Sequence, residues 1–214
     1  NAPIKGLYEL GVEVEENSEL DLLVSYKAHA GDKRIPEVAA DMQKEMGDKV
    51  YPDLLERMAQ FELTLLDWAE AHKGARKYVA FADKCWPAFP EQFGFEPCYV
   101  NSRLASRGIP VACEVDIYGA LSEYIGACIT GDAITLLDIN NTVPQDLYDQ
   151  EIKGNYDYRL HETFMGFHCG NTPMCKLNSG ALKYQLIQNR NLEKGGEPDF
   201  TRGTLEGDIA PGKI

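Results

Sequence analysis

Long hydrophobic runs and phosphate-binding loops are both missing from this sequence of 214 residues. No stretch approaches the roughly 18 consecutive apolar residues that a membrane-spanning helix needs. The patterns G-x-G-x-x-G, G-x-x-x-x-G-K-S/T and G-x-S-x-G are also absent. The sequence therefore carries no signature of a dinucleotide-binding enzyme, a P-loop nucleotidase or an α/β-hydrolase.

Basic residues are scarce relative to acidic ones. The chain has 21 lysines and arginines against 34 aspartates and glutamates, a formal net charge of −13. Nucleic acids and anionic membranes both need a basic face, so neither is an expected partner. The acidic balance is compatible with a site that binds cations.

Cysteine is present but not dense, with six residues in the whole chain. Several of them fall inside apolar helix or strand patterns, which is typical of reduced, buried thiols. The N-terminus shows no basic segment followed by an apolar one, the pattern of a secretory signal. Together these features predict a cytoplasmic protein.

Helical and strand patterns alternate over most of the chain. Helical spacing is found over residues 18–30, with Ser18 as the N-cap, and over 36–46, 51–75, 98–108 and 116–131. Short apolar strands are predicted at 78–82, 109–113 and 133–137, and the proline-rich segment 86–97 is expected to be a loop. This alternation predicts an α/β fold, a parallel sheet flanked by helices in a Rossmann- or flavodoxin-like three-layer arrangement. We expect an α/β domain over 3–140, a loop-rich connection over 141–180 and the start of a β-rich domain over 181–214.

An acid directly follows each of two predicted strands. Glu114 comes after the apolar stretch 109–113, and Asp138 comes after 133–137, with one helix between them. A right-handed crossover would bring both carboxylates to the edge of the sheet where ligands of α/β proteins bind. Neighbouring carboxylates repel, so a divalent metal, a shared proton or an intervening basic residue is expected there. Oxygen ligands favour Mn²⁺ or Mg²⁺ over Zn²⁺.

A metal site of this kind needs a further ligand, and two histidines follow the second acid. His168 comes after the apolar run 164–167 and opens the turn HCGNTP, whereas His161 lies in a polar segment. His168 is the favoured third ligand. A zinc site built from these histidines with Cys169 and Cys175 is disfavoured, because their spacing lacks the close pairs of structural zinc sites.

The stretches GIPVACEVDIYGAL and AITLLD, with an Asp 24 residues after the Glu, resemble the L-fucose isomerase family, a relative of the L-arabinose isomerases. KCWPAFPEQFG and HCGN are similar to its fucose-isomerase-like branch. The resemblance covers roughly residues 76–214. It implies a Mn²⁺-dependent (or Mg²⁺-dependent) aldose–ketose isomerase of monosaccharides that works through a cis-enediol. Glu114 would be the base and Asp138 would assist at the oxygens, and both would bind the metal.

The resemblance leaves the third metal ligand open. His168 fits the arabinose-isomerase pattern, whereas the fucose-isomerase pattern would place this ligand beyond residue 214. Substrate contacts are expected from residues near the same sheet edge. These are Lys84, Trp86, Gln92 and Asn171.

The family architecture comprises two α/β domains and a C-terminal β domain, and its members form homo-oligomers. This chain would hold the middle domain and the opening of the third, so we expect a fragment that is inactive alone. The alternative is a non-catalytic α/β sugar-binding module, which would bind a sugar without any metal.

Overall fold

The computed structural model describes residues 4–48, 51–85, 88–168, 172–185 and 201–212. Helices dominate the first half of the chain. In order they are α1 (Ile4–Glu9), α2 (Glu19–Ala28), α3 (Ile35–Met46) and α4 (Pro52–His72). The helices predicted at 18–30, 36–46 and 51–75 are thereby confirmed, with ends shifted by a few residues.

Local sequence explains where these helices begin. Ser18 caps α2 as predicted: its hydroxyl accepts from the backbone N–H of Asp21 at 3.2 Å, and its own N–H donates to the Asp21 carboxylate at 3.1 Å. This reciprocal pair satisfies two amides that a helix start leaves free. Pro36 and Pro52 lie in the first turns of α3 and α4, where no intrahelical N–H bond is lost.

Helix α4 forms the centre of the core. Its Leu54, Met58 and Phe61 are fully buried. Around Phe61 lie three further phenylalanines, Phe89, Phe93 and Phe95, with ring centroids 5.1 to 5.9 Å away. Such edge-to-face aromatic contacts stabilise a core beyond the area that they bury.

Two of these phenylalanines come from a helix that the sequence pattern did not predict. The segment 86–97 has three prolines and was expected to be a loop, yet α5 (Ala88–Phe93) forms within it. Stacking of Phe89 on Phe93, with centroids 4.1 Å apart, anchors this short helix to the core. Helix α6 (Cys98–Ser106) follows and is buried over nearly all its length, as predicted for this segment.

The middle of the chain forms a short pair of parallel strands. Strand β1 (Phe81–Ala82) pairs with β2 (Val111–Ala112), with Phe81 opposite Val111. Helix α7 (Ile117–Thr130) begins at Asp116, whose carboxylate accepts from the N–H of Gly119, and ends at Gly131 in a left-handed conformation. The predicted strand–helix order is confirmed here, with shorter strands than expected.

The structure differs from the expected strand at 133–137. Strand β3 covers Asp138–Asn140 and pairs antiparallel with β4 (Met165–Phe167), in a sheet separate from β1 and β2. Residues 133–137 instead pack along α7. A methyl group at Gly119 would lie 2.6 Å from Leu136 Cδ2, and one at Gly126 would lie 2.9 Å from Ile134 Cγ1. Asp138 therefore opens a strand rather than following one.

The described C-terminal part forms an antiparallel hairpin. Strand β5 (Ala181–Gln185) pairs with β6 (Thr201–Glu206), which agrees with the β-rich segment predicted after 181. Leu182 and Leu205 join the same hydrophobic cluster as α4 and α6. The domain boundaries and the three-layer arrangement stay predictions.

None of the helices in the described ranges combines the length and apolar character that a membrane crossing requires.

Candidate active site

Parallel pairing continues beyond the ends of β1 and β2. The N–H of Asp83 donates to Ala112 O at 2.9 Å, and the N–H of Val115 donates back to Asp83 O at 2.8 Å. This ladder holds the residues after both strands at one edge. Asp83 and Cys85 come from the β1 side, and Cys113 and Glu114 come from the β2 side.

Glu114 lies in an unusual backbone conformation. Both Glu114 and Val115 have φ of 58°, and they are the described non-glycine residues with positive φ. The N–H of Asp116 closes the turn on Cys113 O at 3.1 Å. A left-handed conformation costs a non-glycine residue about 1 to 2 kcal/mol, and such strain concentrates at functional sites. The turn leaves Glu114 exposed, with its carboxylate beside Cys85 after the end of β1.

Two buried thiols lie beside Glu114. Cys113 donates to Cys85 Sγ at 3.0 Å, and Cys85 donates to Glu114 Oε1 at 3.2 Å. The hydrogen bond with Cys113 and burial raise the pKa of Cys85 far above its usual range. All described cysteines are free thiols, and Cys85, Cys98 and Cys113 are buried, as expected; Cys128 and Cys175 are exposed.

Buried acids lie behind this edge. Asp83 Oδ2 accepts from the Asn101 amide at 2.6 Å, while its Oδ1 is buried and has no hydrogen-bond partner among the described residues. Burial raises the pKa of Asp83 to about 7, and the charge of Glu114 adds to this rise. Burial and the charge of Asp83 likewise raise the pKa of Glu96 to about 7. Negative potential therefore accumulates at the carboxyl ends of β1 and β2.

Asp138 and His168 form a second group. Asp138 is exposed and pairs with Phe167 across the β3–β4 sheet, which brings it next to the following residue, His168. Burial lowers the pKa of His168, while the charges of Asp138 and Asp116 act in the opposite direction. The Nδ1 atom of His168 is buried and has no hydrogen-bond partner within the described ranges.

The predicted trio is therefore divided between two neighbouring groups. Asp138 and His168 lie together, whereas the close donor group containing Glu114 consists of Cys85 and Cys113. The separation follows from the placement of β3 outside the β1–β2 sheet. Asp116 lies two residues after Glu114 and acts electrostatically on His168, so α7 begins between the two groups.

The predicted substrate-binding residues have mixed outcomes. Lys84 lies two residues after β1 and is exposed, near the expected strand end. Gln92 is exposed on α5, beside the buried Phe93. Trp86 and Asn171 lie outside the described residues.

The sequence prediction did not single out Asp83, Cys85, Cys113 or Glu123 as site residues. For Asp83 the signal was available, since it follows the apolar stretch 78–82 as Glu114 follows 109–113. Glu123 is 4% exposed on α7, and burial together with Asp116 raises its pKa to about 7. The thiol pair could not be recognised from spacing, because its members lie 28 residues apart.

A second cluster of possible metal ligands joins His29, Asp32 and Asp67. In this cluster the positive charge between the carboxylates is the side chain of Arg34. Arg34 contacts Asp32 at 2.6 Å and Asp67 at 2.5 Å, and His29 Nε2 lies 3.0 Å from Asp67. This cluster is an ion-pair network that ties the α2–α3 connection to α4.

Known proteins that are similar to parts of this chain share one name, and three of them show the extent of the match. A sulfoquinovose isomerase from Clostridium sp. (strain MSTE9) is 40% identical over 70 residues, which are 30% of this chain and 16% of that protein. One from Alkalicoccus urumqiensis is 29% identical over 131 residues, 55% of this chain and 29% of that protein. One from Priestia aryabhattai is 29% identical over 94 residues, 41% of this chain and 20% of that protein.

No family profile and no solved structure matches the chain. The matched segments span between 16% and 29% of the length of these three relatives. Over part of its length, the chain is thus homologous to proteins named as sugar isomerases.

Proposed function

We propose that this chain contributes part of the active site of an aldose–ketose isomerase that acts on monosaccharides. The partial similarity to sulfoquinovose isomerases carries the proposal. The geometry supports it with the exposed Asp138 carboxylate beside His168, whose buried Nδ1 atom has no hydrogen-bond partner among the described residues. Because the matched segments span under a third of those relatives, turnover is expected only from a longer polypeptide that contains this chain.

By ligand type, Glu114, Asp138 and His168 suit a hard divalent cation such as Mn²⁺ or Mg²⁺, although in this structure Glu114 lies with Cys85 and Cys113 and would have to approach the other two residues. Glu114, Asp138 and His168 would hold it, since two carboxylates and one imidazole are a donor set that Mn²⁺ accepts. Neither carboxylate forms an ion pair with another described residue, and His168 Nδ1 needs a partner. When bound, the ion would polarise adjacent substrate oxygens as a Lewis acid.

The carboxylates would perform the proton transfers. Glu114 would remove the proton from C2 of the aldose, giving a cis-enediol, and would return that proton to C1. Asp138 would move a proton between the oxygens on C2 and C1. One C–H bond breaks and another forms, so the sugar is oxidised at C2 and reduced at C1 without an external redox partner. A positioned carboxylate contributes about 10²- to 10⁴-fold to such a transfer.

The name shared by the relatives makes sulfoquinovose, a sulfonated hexose, the first substrate to test. Its sulfonate carries a negative charge, so a cation should contact it in a site otherwise rich in acids. Lys84 is exposed at the end of β1 and forms no ion pair with any described residue. Lys84 therefore is proposed to bind the sulfonate, and Gln92, Trp86 and Asn171 to bind hydroxyl groups or a sugar face. Homo-oligomeric assembly and a cytoplasmic location stay predictions.

Calorimetric titration of Mn²⁺ into this chain tests the metal site directly. Glu114→Gln, Asp138→Asn and His168→Gln should each weaken or abolish binding, while the exposed Glu56→Gln on α4 should leave it unchanged. Binding that survives both carboxylate substitutions would contradict the proposed ligand set.

Isomerase assays on a longer polypeptide test the reaction. Glu114→Gln should lower kcat by about 10²-fold or more, and Lys84→Met should raise KM for sulfoquinovose more than KM for a neutral aldose. Sugar binding with no turnover and no metal requirement would favour a non-catalytic binding module instead.

A further inference from the structure

The thiol pair at the ends of β1 and β2 has no role in the proposed isomerisation. Cys85 and Cys113 are 5% and 7% exposed, and their sulfur atoms lie 3.0 Å apart. One oxygen of Glu114 lies 3.2 Å from Cys85 Sγ, and all three donor atoms lie within 4.8 Å of one another. A tetrahedral zinc ion with Zn–S bonds of about 2.3 Å separates its sulfurs by about 3.8 Å. The observed distance of 3.0 Å is shorter than this, so the two sulfur atoms would move apart by about 0.8 Å, a side-chain adjustment, to hold the ion.

The surroundings of the pair favour a cation. The charge of Asp83 acts on Cys85, and the charge of Glu114 acts on Asp83. The Oδ1 atom of Asp83 is buried without a hydrogen-bond partner in the part of the chain that the structure describes. No lysine or arginine among the described residues forms an ion pair with Asp83, Glu96 or Glu114. A buried carboxylate oxygen without a partner is costly, and a bound cation is one way to satisfy it.

We propose that Cys85, Cys113 and Glu114 bind a thiophilic divalent cation of the zinc class, with Asp83 orienting or completing the site. Soft thiolate ligands select zinc or cadmium over manganese. Three protein ligands leave a fourth position for Asp83 or water, as in zinc sites with an open position. Binding replaces two S–H bonds by two metal–sulfur bonds and releases two protons to solvent.

This site differs from the proposed Mn²⁺ site in its ligands, because two of them are thiolates. Both sites use Glu114. Zinc binding itself does not depend on any isomerase activity. Its consequence does rest on the proposed function: while Glu114 is held beside the thiolates, the site formed with Asp138 and His168 lacks one ligand. A thiophilic cation should therefore compete with Mn²⁺.

Titration of Co²⁺ into the reduced chain under anaerobic conditions provides the test, because cobalt–thiolate bonds give charge-transfer absorption. We expect a saturable band with one ion per chain. Cys85→Ser and Cys113→Ser should each remove most of it, and Asp83→Asn should weaken binding about 10- to 100-fold. Cys175→Ser, at an exposed thiol, is the matched control and should keep the band.

A measurement on the unsubstituted chain does not depend on whether the variants fold. X-ray absorption of the zinc-loaded chain should show two sulfur neighbours with oxygen neighbours completing the shell. A shell without sulfur, no cobalt band in the reduced chain, or a band that persists in Cys85→Ser/Cys113→Ser would each overturn the proposal. Mn²⁺ binding that is lost in Asp138→Asn but kept in Cys113→Ser would support the isomerase site independently of this result.

Discussion

The turn at Glu114 and Val115 concentrates backbone strain at two adjacent residues. Val115 is β-branched and 49% exposed, so its left-handed conformation is compensated by little burial of its own. The hydrogen bond from its N–H to Asp83 O holds it in place. The strained turn therefore costs some folding stability, and it holds the Glu114 carboxylate beside Cys85.

Glycine at Val115 should relieve part of this strain. Val115→Gly is expected to stabilise the chain by about 1 kcal/mol, since the left-handed penalty of about 1 to 2 kcal/mol is partly offset by the greater unfolded-state entropy of glycine. Urea denaturation of the parent and the variant measures the difference.

The control for this change is an exposed valine with ordinary helical geometry. Val24 on α2 is 61% exposed, and Val24→Gly should destabilise by about 0.5 kcal/mol because glycine disfavours helix. Loss of stability in Val115→Gly as well would mean that the turn is not strained.

We expect the unfolding free energy of the chain to depend on pH through the buried carboxyl group of Glu123. Because its folded pKa of about 7 lies above the ordinary glutamate value, the folded state holds an extra proton between about pH 4.3 and pH 7. The contribution of this residue to stability is therefore lost as pH rises through that window. Glu123→Gln should be more stable than the parent by about 3 to 4 kcal/mol at pH 8, because the pKa of Glu123 rises from 4.5 to about 7 and each pKa unit corresponds to about 1.4 kcal/mol.

This stability difference should shrink toward zero near pH 4.5, where the parent carboxyl is protonated. Chemical denaturation at several pH values gives the curve, and Glu56→Gln on the exposed face of α4 is the matched control. A difference that does not change with pH would show that Glu123 is not the group responsible.

Helix α7 depends on glycine for its packing. Gly119 and Gly126 let the side chains of Leu136 and Ile134 approach the helix backbone. Alanine usually stabilises a helix by about 1 kcal/mol relative to glycine. Here close contacts reverse the sign, because a methyl group at Gly119 would clash with the capping Asp116 carboxylate as well as with Leu136. Gly119→Ala should therefore destabilise by about 1 to 3 kcal/mol through overpacking.

Gly6 in α1 provides the comparison for this substitution. No atom lies within 4 Å of the position that a methyl group would take there, so Gly6→Ala should be stabilising. Thermal unfolding of both variants checks the pair, and a stabilising Gly119→Ala would show that residues 133–137 do not pack on α7.

At this scale the sequence was informative where local signals decide the structure. Helices α2, α3, α4 and α7 have caps, prolines at the first turn or long apolar periodicity, and all were predicted. Strand assignments were less accurate, because pairing partners are not local. The apolar run 133–137 has strand character, yet the glycine face of α7 takes its side chains instead.

Across the whole molecule, a buried ion network joins three helices. The Arg103 guanidinium is 3% exposed and contacts Glu62, Glu45 and Asp41 from 2.6 to 2.7 Å. Glu62 is fully buried on α4 and also receives Arg107 at 2.5 Å. Arg103 and Glu62 form the buried centre of this network, and its other members reach the surface.

Removing the central cation should be severe. Arg103→Met is expected to destabilise by about 3 kcal/mol, because it leaves Glu62 buried with an incomplete set of partners. Arg103→Met/Glu62→Leu should recover much of that loss, and the exposed Arg159→Met should cost under about 1 kcal/mol. Equal unfolding free energies for the single and double variants would contradict this account.

The candidate site was predictable in part. Glu114 and Lys84 do lie just after paired strands, whereas Asp138 opens β3 instead of following a strand. His168 lies beside Asp138. The close approach of Cys85, Cys113 and Asp83 to Glu114 was not predictable. It depends on the register of β1 against β2 and on the turn after Cys113, and neither is encoded in residue spacing.

The left-handed turn also has a consequence for mutational libraries at position 114. Its backbone favours glycine, asparagine or aspartate over glutamate. A library selected only for folding should drift toward those residues, whereas one selected for sugar turnover should retain glutamate. The residue that survives under each selection would therefore separate what the backbone prefers from what the chemistry requires.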